Sequence, residues 1–172
     1  MVTPGRTLRR TATALVVLAA LAALAIFGLA GKSAARRVAP QLPAEHLSGP
    51  RVTLASVLAR ADGRRTLVTF WASWCTPCAE DAAALERFAA SAAGRGRIVG
   101  VDFSDGAAAA RAFIRAHEWT FANLRDTYGR VGNAYRMRNL PTTFVIDASG
   151  HIAQVLEGPQ TLASLTRAIE AA

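Results

Sequence analysis

Residues 71–78 read Trp-Ala-Ser-Trp-Cys-Thr-Pro-Cys, so two cysteines stand three positions apart. The run that leads into them, Thr66–Ala72, is rich in β-branched and aromatic residues and predicts a buried central strand. The residues that follow repeat apolar side chains with a helical period and predict a helix over 75–93. The two cysteines therefore open a helix directly after a buried strand.

The spacing of Cys75 and Cys78 favours a redox-active pair of thiols. In the first turn of a helix, residues i and i+3 face the same side, so the two sulfurs can reach each other. Free N–H groups and the helix dipole stabilise a thiolate at the amino end, which lowers the pKa of a cysteine there. Pro77 fits this position because N–H groups of the first turn have no partner within the helix. Trp74 lies past the strand end and is expected to shape the site.

Two other interpretations of the cysteine pair agree less well with the sequence. A zinc site would need further ligands, but there is no second cysteine pair, and His46, His117 and His151 show no ligand spacing. A pair of inert cysteines has no need to stand at a strand-to-helix junction. We therefore expect a dithiol and no metal site.

The rest of the chain alternates strand and helix patterns. The order predicts an α/β fold with parallel strands joined by crossovers, followed by one antiparallel hairpin at the turn over 147–150. The predicted elements are strands over 97–102, 142–146 and 152–156, helices over 107–117 and 129–135, and a closing helix marked by Leu162, Leu165 and Ile169.

The net charge of +8 belongs to one end of the chain. Six of the 20 basic residues and none of the 12 acids lie before Val38, so the remainder carries 14 arginines against 12 acids. A balance of +2 gives no reason to expect nucleic-acid binding. A hydrophobic content of 52% excludes an intrinsically disordered chain, and two cysteines exclude a scaffold held by many disulfides.

The segment over 11–30 holds 20 residues without a charge, enough for a helix to cross a bilayer. A cleaved signal peptide is the alternative, although its apolar part is usually shorter. The tail before the segment is short, which favours a cytoplasmic tail and a domain on the outer side. The predicted organisation is a tail over 1–10, a transmembrane anchor over 11–30, a linker over 31–50 and one domain over 51–172.

A second motif, residues 139–144, reads Asn-Leu-Pro-Thr-Thr-Phe and puts a proline directly before a strand. With the Trp-Cys-x-x-Cys motif about 65 residues earlier, the chain resembles thioredoxin. It is more specifically similar to the membrane-anchored TlpA/ResA/CcmG (DsbE)-like thiol–disulfide oxidoreductases of bacteria. The resemblance covers about 52–172 and includes Trp119-Thr120-Phe121, which looks like this subgroup's insertion between strand and helix.

The resemblance implies a thioredoxin-like fold, in which helices flank a central mixed sheet. It implies that Cys75 is the exposed nucleophile, that Cys78 is the resolving thiol and that the two form a disulfide when oxidised. It also implies a cis peptide bond before Pro141, and it requires neither a metal nor an organic cofactor. The residues expected to shape the site and to dock the substrate are Trp74, Thr76, Pro77, Leu140 and Pro141.

Two departures from the family concern acidic groups near the site. Thioredoxins carry a buried acid in the strand before the cysteines, but here Thr69 takes that position and cannot accept a proton as a carboxylate does. The subgroup often has Glu three residues after the second cysteine, where this chain has Asp81 with Glu80 beside it. Either acid could tune the thiols, or both could simply favour the helix dipole.

The sequence therefore predicts a membrane-tethered thiol–disulfide oxidoreductase outside the cytoplasm. It would reduce the disulfides of client proteins, with apocytochrome c as one candidate client, and would depend on a membrane thiol reductant. The resemblance implies this direction, because the anchored family mostly reduces disulfides outside the membrane, and Thr76-Pro77 adds weak support since it includes no histidine to stabilise a thiolate. We therefore expect a potential on the reducing side of about −200 mV. The alternatives are an oxidase with the opposite electron flow and a Cu(I) metallochaperone, for which no methionine or histidine near the cysteines is evident.

Overall fold

Residues 37–171 are described by the computed structural model, and strands and helices alternate along most of them. The strands are β1 (Glu45–Ser48), β2 (Thr66–Trp71), β3 (Ile98–Phe103), β4 (Ala122–Asp126), β5 (Thr142–Ile146) and β6 (Ile152–Glu157). The helices are α1 (Leu54–Ala61), α2 (Thr76–Ala90), α3 (Ala107–Ala116), α4 (Arg130–Ala134) and α5 (Leu162–Glu170).

The strands form one mixed sheet in the order β1-β4-β3-β2-β5-β6. Strands β2, β3 and β4 run parallel, whereas β5 is antiparallel to β2 and β6 is antiparallel to β5. Strand β1 closes the other edge, antiparallel to β4. The expected parallel section followed by an antiparallel hairpin is confirmed.

This topology brings the two sequence motifs together. Strand β2 ends immediately before the turn that carries the cysteines, and β5 begins immediately after Pro141. Because Phe70 near the end of β2 pairs with Thr142 at the start of β5, both motifs lie at the same edge of the sheet. The carboxyl ends of β3 and β4 lie at that edge as well, since these strands are parallel to β2.

The sheet has a buried cluster on each face, so the expected helices on both sides of a central sheet are confirmed. All six residues of β2 are buried and contribute to the two faces in alternation. One cluster joins β2 to α2, α3 and α5, and includes Trp71, Phe88 and Leu165. The other joins β2 to α1 and to the residues around α4, and includes Phe70 and Tyr135.

Three elements of the structure are missing from the sequence-based prediction. Strand β4 reads Ala-Asn-Leu-Arg-Asp, and three polar residues of five hide its strand character. Strand β1 has a single buried residue, Leu47, and therefore shows no alternating pattern. Helix α1 spans only eight residues, although Thr53 and Ser56 form a capping box that marks its start.

The predicted linker over 31–50 is wrong for its described part, residues 37–50. Val38 pairs with His151, and the side chains of Ala39 and Leu47 are buried. The Tyr135 hydroxyl donates a hydrogen bond to the Pro40 carbonyl over 2.9 Å. These residues belong to the domain because their backbone groups find partners in it, which composition alone does not reveal.

The predicted tail, the predicted anchor and the start of the predicted linker lie outside the described residues. Within residues 37–171, no helix combines the length and the apolar character that a membrane crossing requires.

Candidate active site

The turn after β2 presents the two cysteines at the start of α2. The Cys75 N–H donates to the Ala72 carbonyl over 3.1 Å, which closes the turn. Cys75 is the N-cap residue of α2, and its Sγ accepts the N–H of Cys78 over 3.2 Å. The first sulfur thus takes a free N–H at the amino end of the helix, as the spacing predicts.

Cys75 and Cys78 form a disulfide with an S–S distance of 2.07 Å and a Cα–Cα distance of 5.3 Å. The expectation that Cys75 is exposed needs correction, because only 5% of Cys75 and 1% of Cys78 are accessible. Cys75 nevertheless borders a cleft at the protein surface, and Cys78 does not. The protein thus presents the first sulfur to a partner and keeps the second one behind it.

The cleft beside Cys75 has a volume of about 620 Å³. Its walls come from the cysteine turn, the end of β3, helix α4 and the segment before β5. They consist of Trp74, Cys75, Thr76, Pro77, Phe103, Asn133, Met137, Arg138, Asn139 and Leu140.

Four of the five residues expected to dock the substrate line this cleft, and the fifth, Pro141, follows the lining residue Leu140 in the chain. The Leu140–Pro141 bond is cis, as the resemblance implies, and Pro141 itself is buried. Its carbonyl accepts the N–H of Gly158 over 2.9 Å, which joins the start of β5 to the end of β6. Met137 was not predicted as a neighbour of the dithiol, because five elements, α2 to α4, separate it from Cys75 along the chain.

The two tryptophans around the turn have different surroundings. Trp71 is fully buried, with its ring stacked on Phe113 at 5.0 Å and edge-on to Trp119 at 4.9 Å. Trp74 is 60% exposed, and its indole N–H points to the Ser104 carbonyl at 3.4 Å. Trp71 therefore belongs to the core, whereas Trp74 forms part of the rim of the cleft.

The loop after β3 holds the cysteine turn through Asp105, which the sequence analysis missed. Asp105 Oδ2 accepts the N–H of Ser73, and Oδ1 accepts the N–H of Gly106, both over 2.6 Å. Arg125 on β4 donates from Nη2 to the Asp105 carbonyl over 2.7 Å. An Asp-Gly pair one residue after a strand at the active edge is the sequence signal that could have indicated it.

A second acid, Asp102, is fully buried at the end of β3. It receives no hydrogen bond from an N–H or O–H group of the described chain, and the Arg125 Nε lies 3.9 Å from its Oδ2. Burial, and after it the neighbouring Asp105 carboxylate, raise the pKa of Asp102 to about 8. Although burial opposes the change, hydrogen bonds from Ser73 and Gly106 hold the pKa of Asp105 below its ordinary value. Protonated Asp102 can therefore donate to ionised Asp105.

The acids after the cysteines differ in burial. Asp81 lies one helical turn after Cys78, is 1% exposed, and accepts the N–H of Gln160 at Oδ2 over 3.0 Å. Burial raises the pKa of Asp81 to about 6. Glu80 is exposed, and Thr69 is buried with its hydroxyl accepting a hydrogen bond from the Thr143 hydroxyl over 3.0 Å. Among these three expected tuning residues, only Asp81 combines a carboxyl group with burial.

The described residues include no cluster of three or more histidines, cysteines and acids arranged to hold a metal ion. The histidines are separated: His46 Nε2 hydrogen-bonds to the Gly49 carbonyl, His117 packs on Phe113 at the end of α3, and His151 pairs with Val38.

The sequence profile of the AhpC/TSA family matches residues 35–155. The chain is 31% identical to the thioredoxin-like protein YneN of Bacillus subtilis over 126 residues, which is 72% of this chain and 71% of YneN. It is 37% identical to the thiol:disulfide interchange protein DsbE homolog of Paracoccus denitrificans over 124 residues, 72% of this chain and 66% of that protein.

A solved thiol:disulfide interchange protein of the thioredoxin family from Chlorobium tepidum has the same fold, with a TM-score of 0.67 and 26% identity. The match covers 80% of this chain and 97% of that one. The sheet and the helices around it are therefore shared with a thiol:disulfide interchange protein of known structure.

Proposed function

Since the chain belongs to the AhpC/TSA family of thioredoxin-like proteins and is a thiol–disulfide oxidoreductase, we propose that it reduces disulfides of client proteins with Cys75 and Cys78. The observation that carries this proposal is the Cys75–Cys78 disulfide at the start of α2, with Cys75 on the wall of a surface cleft.

The reaction begins with the reduced pair. The Cys75 thiolate attacks one sulfur of a client disulfide, so a mixed disulfide forms and the other client sulfur leaves as a thiolate that takes up a proton. The Cys78 thiolate then attacks Cys75 Sγ and releases the second client thiol. Two electrons have passed to the client, and the protein ends with the Cys75–Cys78 disulfide. A thiol reductant in the membrane would restore the dithiol.

Asp81 is the proposed tuning group of this exchange. It follows Cys78 on the same face of α2, and its buried carboxyl group holds a proton more tightly than an ordinary aspartate. A carboxylate with a pKa of about 6 can take the proton that Cys78 loses before it attacks Cys75. Thr69 cannot perform this step, because a neutral hydroxyl is far too weak a base to take the proton of a thiol.

We also propose where in the cell the protein acts and which client proteins it reduces. An uncharged segment over 11–30 supports a single-pass anchor with the catalytic domain on the outer side of the cell membrane. Apocytochrome c is one candidate client, on the basis of the resemblance to CcmG-like proteins.

Two variants of the full chain test the proposal. The Cys78→Ser variant should accumulate mixed disulfides with clients in the membrane fraction, because the resolving thiol is missing. The Cys75→Ser variant is the matched control, because it also keeps a single thiol. It should form no mixed disulfide with clients. Trapping by Cys75→Ser alone would reverse the two roles, and trapping by neither would refute the exchange mechanism.

The direction of electron flow is tested by equilibrating the full chain with glutathione at known ratios. We expect a midpoint potential below about −200 mV, nearer to the thioredoxin value of about −270 mV than to the strongly oxidising value of about −120 mV. A midpoint near the oxidising value would make the protein a disulfide donor.

Copper transfer is the second candidate function, and one contact favours it. The expectation that no methionine lies near the cysteines is wrong, because Met137 lines the cleft together with Cys75. Two thiolates and a thioether are ligands that suit Cu(I). Titration of the reduced chain with Cu(I) against a competing chelator tests this candidate, and Met137→Leu should weaken binding if the thioether takes part.

A further inference from the structure

The cleft beside Cys75 contains a single charged side chain, that of Arg138. Trp74, Phe103, Met137 and Leu140 give the cleft apolar walls, and its other polar groups are uncharged. A client segment that brings its disulfide to Cys75 must therefore lie against apolar walls with one positive charge, that of Arg138.

The guanidinium group of Arg138 is free to bind an incoming group. It is exposed, and no described residue forms an ion pair or a hydrogen bond with its side chain. Other arginines of the domain are already engaged: Arg125 pairs with Glu45 over 3.0 Å, and Arg130 lies over the ring of Tyr128 at 5.5 Å.

Of the acids at this edge of the sheet, Asp102 is fully buried, and the others have partners. Asp105 accepts hydrogen bonds from two backbone N–H groups, and Asp126 accepts the N–H of Gly132 over 2.8 Å. Glu45 is bound by Arg125 and by the hydroxyl of Thr127. None of these carboxylates lines the cleft, so the charge of Arg138 faces the place of the client.

We propose that Arg138 is a specificity residue, and that the preferred clients carry an aspartate or glutamate within a few residues of the disulfide that Cys75 attacks. A guanidinium presents a planar fork of donors that matches a carboxylate, and charge-assisted hydrogen bonds of this kind are stronger than neutral ones. The apolar walls reduce the water around the pair, which strengthens the attraction. This inference rests on the proposed exchange reaction at Cys75 and adds the chemistry of the client.

The test compares two synthetic peptides that contain the same intramolecular disulfide and differ only in one neighbouring residue, Asp or Lys. The full chain should exchange with the Asp peptide about five- to tenfold faster at low peptide concentration. Exchange is measured in both directions, with reduced chain on oxidised peptide and with oxidised chain on reduced peptide. The preference is therefore readable whether the protein acts as a reductase or as an oxidase.

Variants of Arg138 assign the preference to this side chain. Arg138→Glu should reverse the preference, and Arg138→Gln should remove it. Arg136→Glu is the matched control, because Arg136 is exposed two residues away but does not line the cleft, and it should keep most of the preference. Salt at about 1 M should weaken the preference, since it shortens electrostatic range to about 3 Å.

Two results would overturn the inference. One is equal exchange of both peptides by the unchanged protein. The other is an equal effect of Arg136→Glu and Arg138→Glu, which would make the preference a property of the general field of the domain. If exchange proceeds only from the oxidised chain to the reduced peptides, and the Asp peptide is still preferred, the reductase proposal is refuted and the role of Arg138 stands.

Discussion

Cys75 and Cys78 have the same side chain but different positions, and this difference should be visible in their reactivity. Cys75 borders the cleft and sits at the amino end of α2, whereas Cys78 is 1% exposed. In the reduced chain we expect iodoacetamide to modify Cys75 faster than Cys78 over a range of about pH 5 to 9, with mass spectrometry to locate the label. Equal rates at both sulfurs would contradict the assignment of Cys75 as the nucleophile.

Asp102 should make the domain less stable as the pH rises. In the unfolded chain its carboxyl group loses the proton above the ordinary aspartate pKa of 3.8, whereas in the folded domain it keeps the proton up to about pH 8. The folded state therefore binds more protons in this window, and the free energy of unfolding falls with rising pH.

Asp102→Asn removes this dependence. Relative to the unchanged protein, the variant should gain stability from about pH 4 to pH 8, by on the order of a few kcal/mol, in urea unfolding experiments. Asp62→Asn makes the same chemical change at an exposed position and serves as the control. A stability difference that does not change with pH would show that Asp102 is ionised in the folded domain.

At the scale of residues, those that stand in a short motif could be predicted from the sequence, and those that reach the site only through the fold could not. The dithiol and its neighbours, Trp74, Thr76 and Pro77, were identifiable because a short motif contains all of them. Arg138 and Met137 have no pattern of their own. Only the pairing of β5 with β2 brings their segment to the cysteines.

At the scale of elements, the loop between β3 and α3 supports the turn between β2 and α2. Asp105 connects the two through the N–H of Ser73, two residues before Cys75. We expect Asp105→Ala to lower kcat/KM for disulfide exchange by about tenfold, because misplacement of a reacting group is costly. Asp105→Asn should recover much of the loss, since its amide oxygen can still accept the Ser73 N–H.

Glu86 offers a matched control for Asp105. The Glu86 carboxylate accepts the N–H and the hydroxyl of Thr120, so Glu86→Ala also removes a carboxylate that holds a loop. Glu86 lies on α2, more than two helical turns from the cysteines. That variant should keep the exchange rate. If Glu86→Ala and Asp105→Ala slow exchange equally, the effect of Asp105 is one of general stability.

The elements that the sequence predicted are those with a hydrophobic period, and the missing ones lack it for a physical reason. Strand β4 buries polar residues, because Asn123 donates to the Phe121 carbonyl and Asp126 accepts the N–H of Gly132. Strand β1 lies at the edge and needs only one apolar residue to hold it. Asn123 also donates to the Ser48 hydroxyl over 3.5 Å, 75 positions earlier in the chain, and a hydrophobic period contains no sign of such polar partners.

At the scale of the whole molecule, the proposed topology can be tested with reporter fusions. A reporter that is active only outside the cytoplasm should be active when it is fused after the last residue of the domain, because the short basic tail favours an inner amino terminus. A reporter that is active only in the cytoplasm should be silent at the same place. Activity of the cytoplasmic reporter would contradict the topology, and a mature chain beginning at Gly31 would show a cleaved signal.

The segment from Arg37 to Pro50 determines how far the dithiol could work from a membrane. Arg37 is held by its hydrogen bond to the Tyr135 carbonyl over 2.7 Å, and the backbone of Val38 pairs with His151. In the proposed topology, with an anchor over 11–30, six residues, 31–36, separate the anchor from the first described residue, compared with the 20 residues of a linker over 31–50. Six residues reach at most about 20 Å, compared with about 70 Å for 20 residues. A domain on so short a tether would reduce client proteins at the bilayer surface. Clients farther from the membrane would have to diffuse to it.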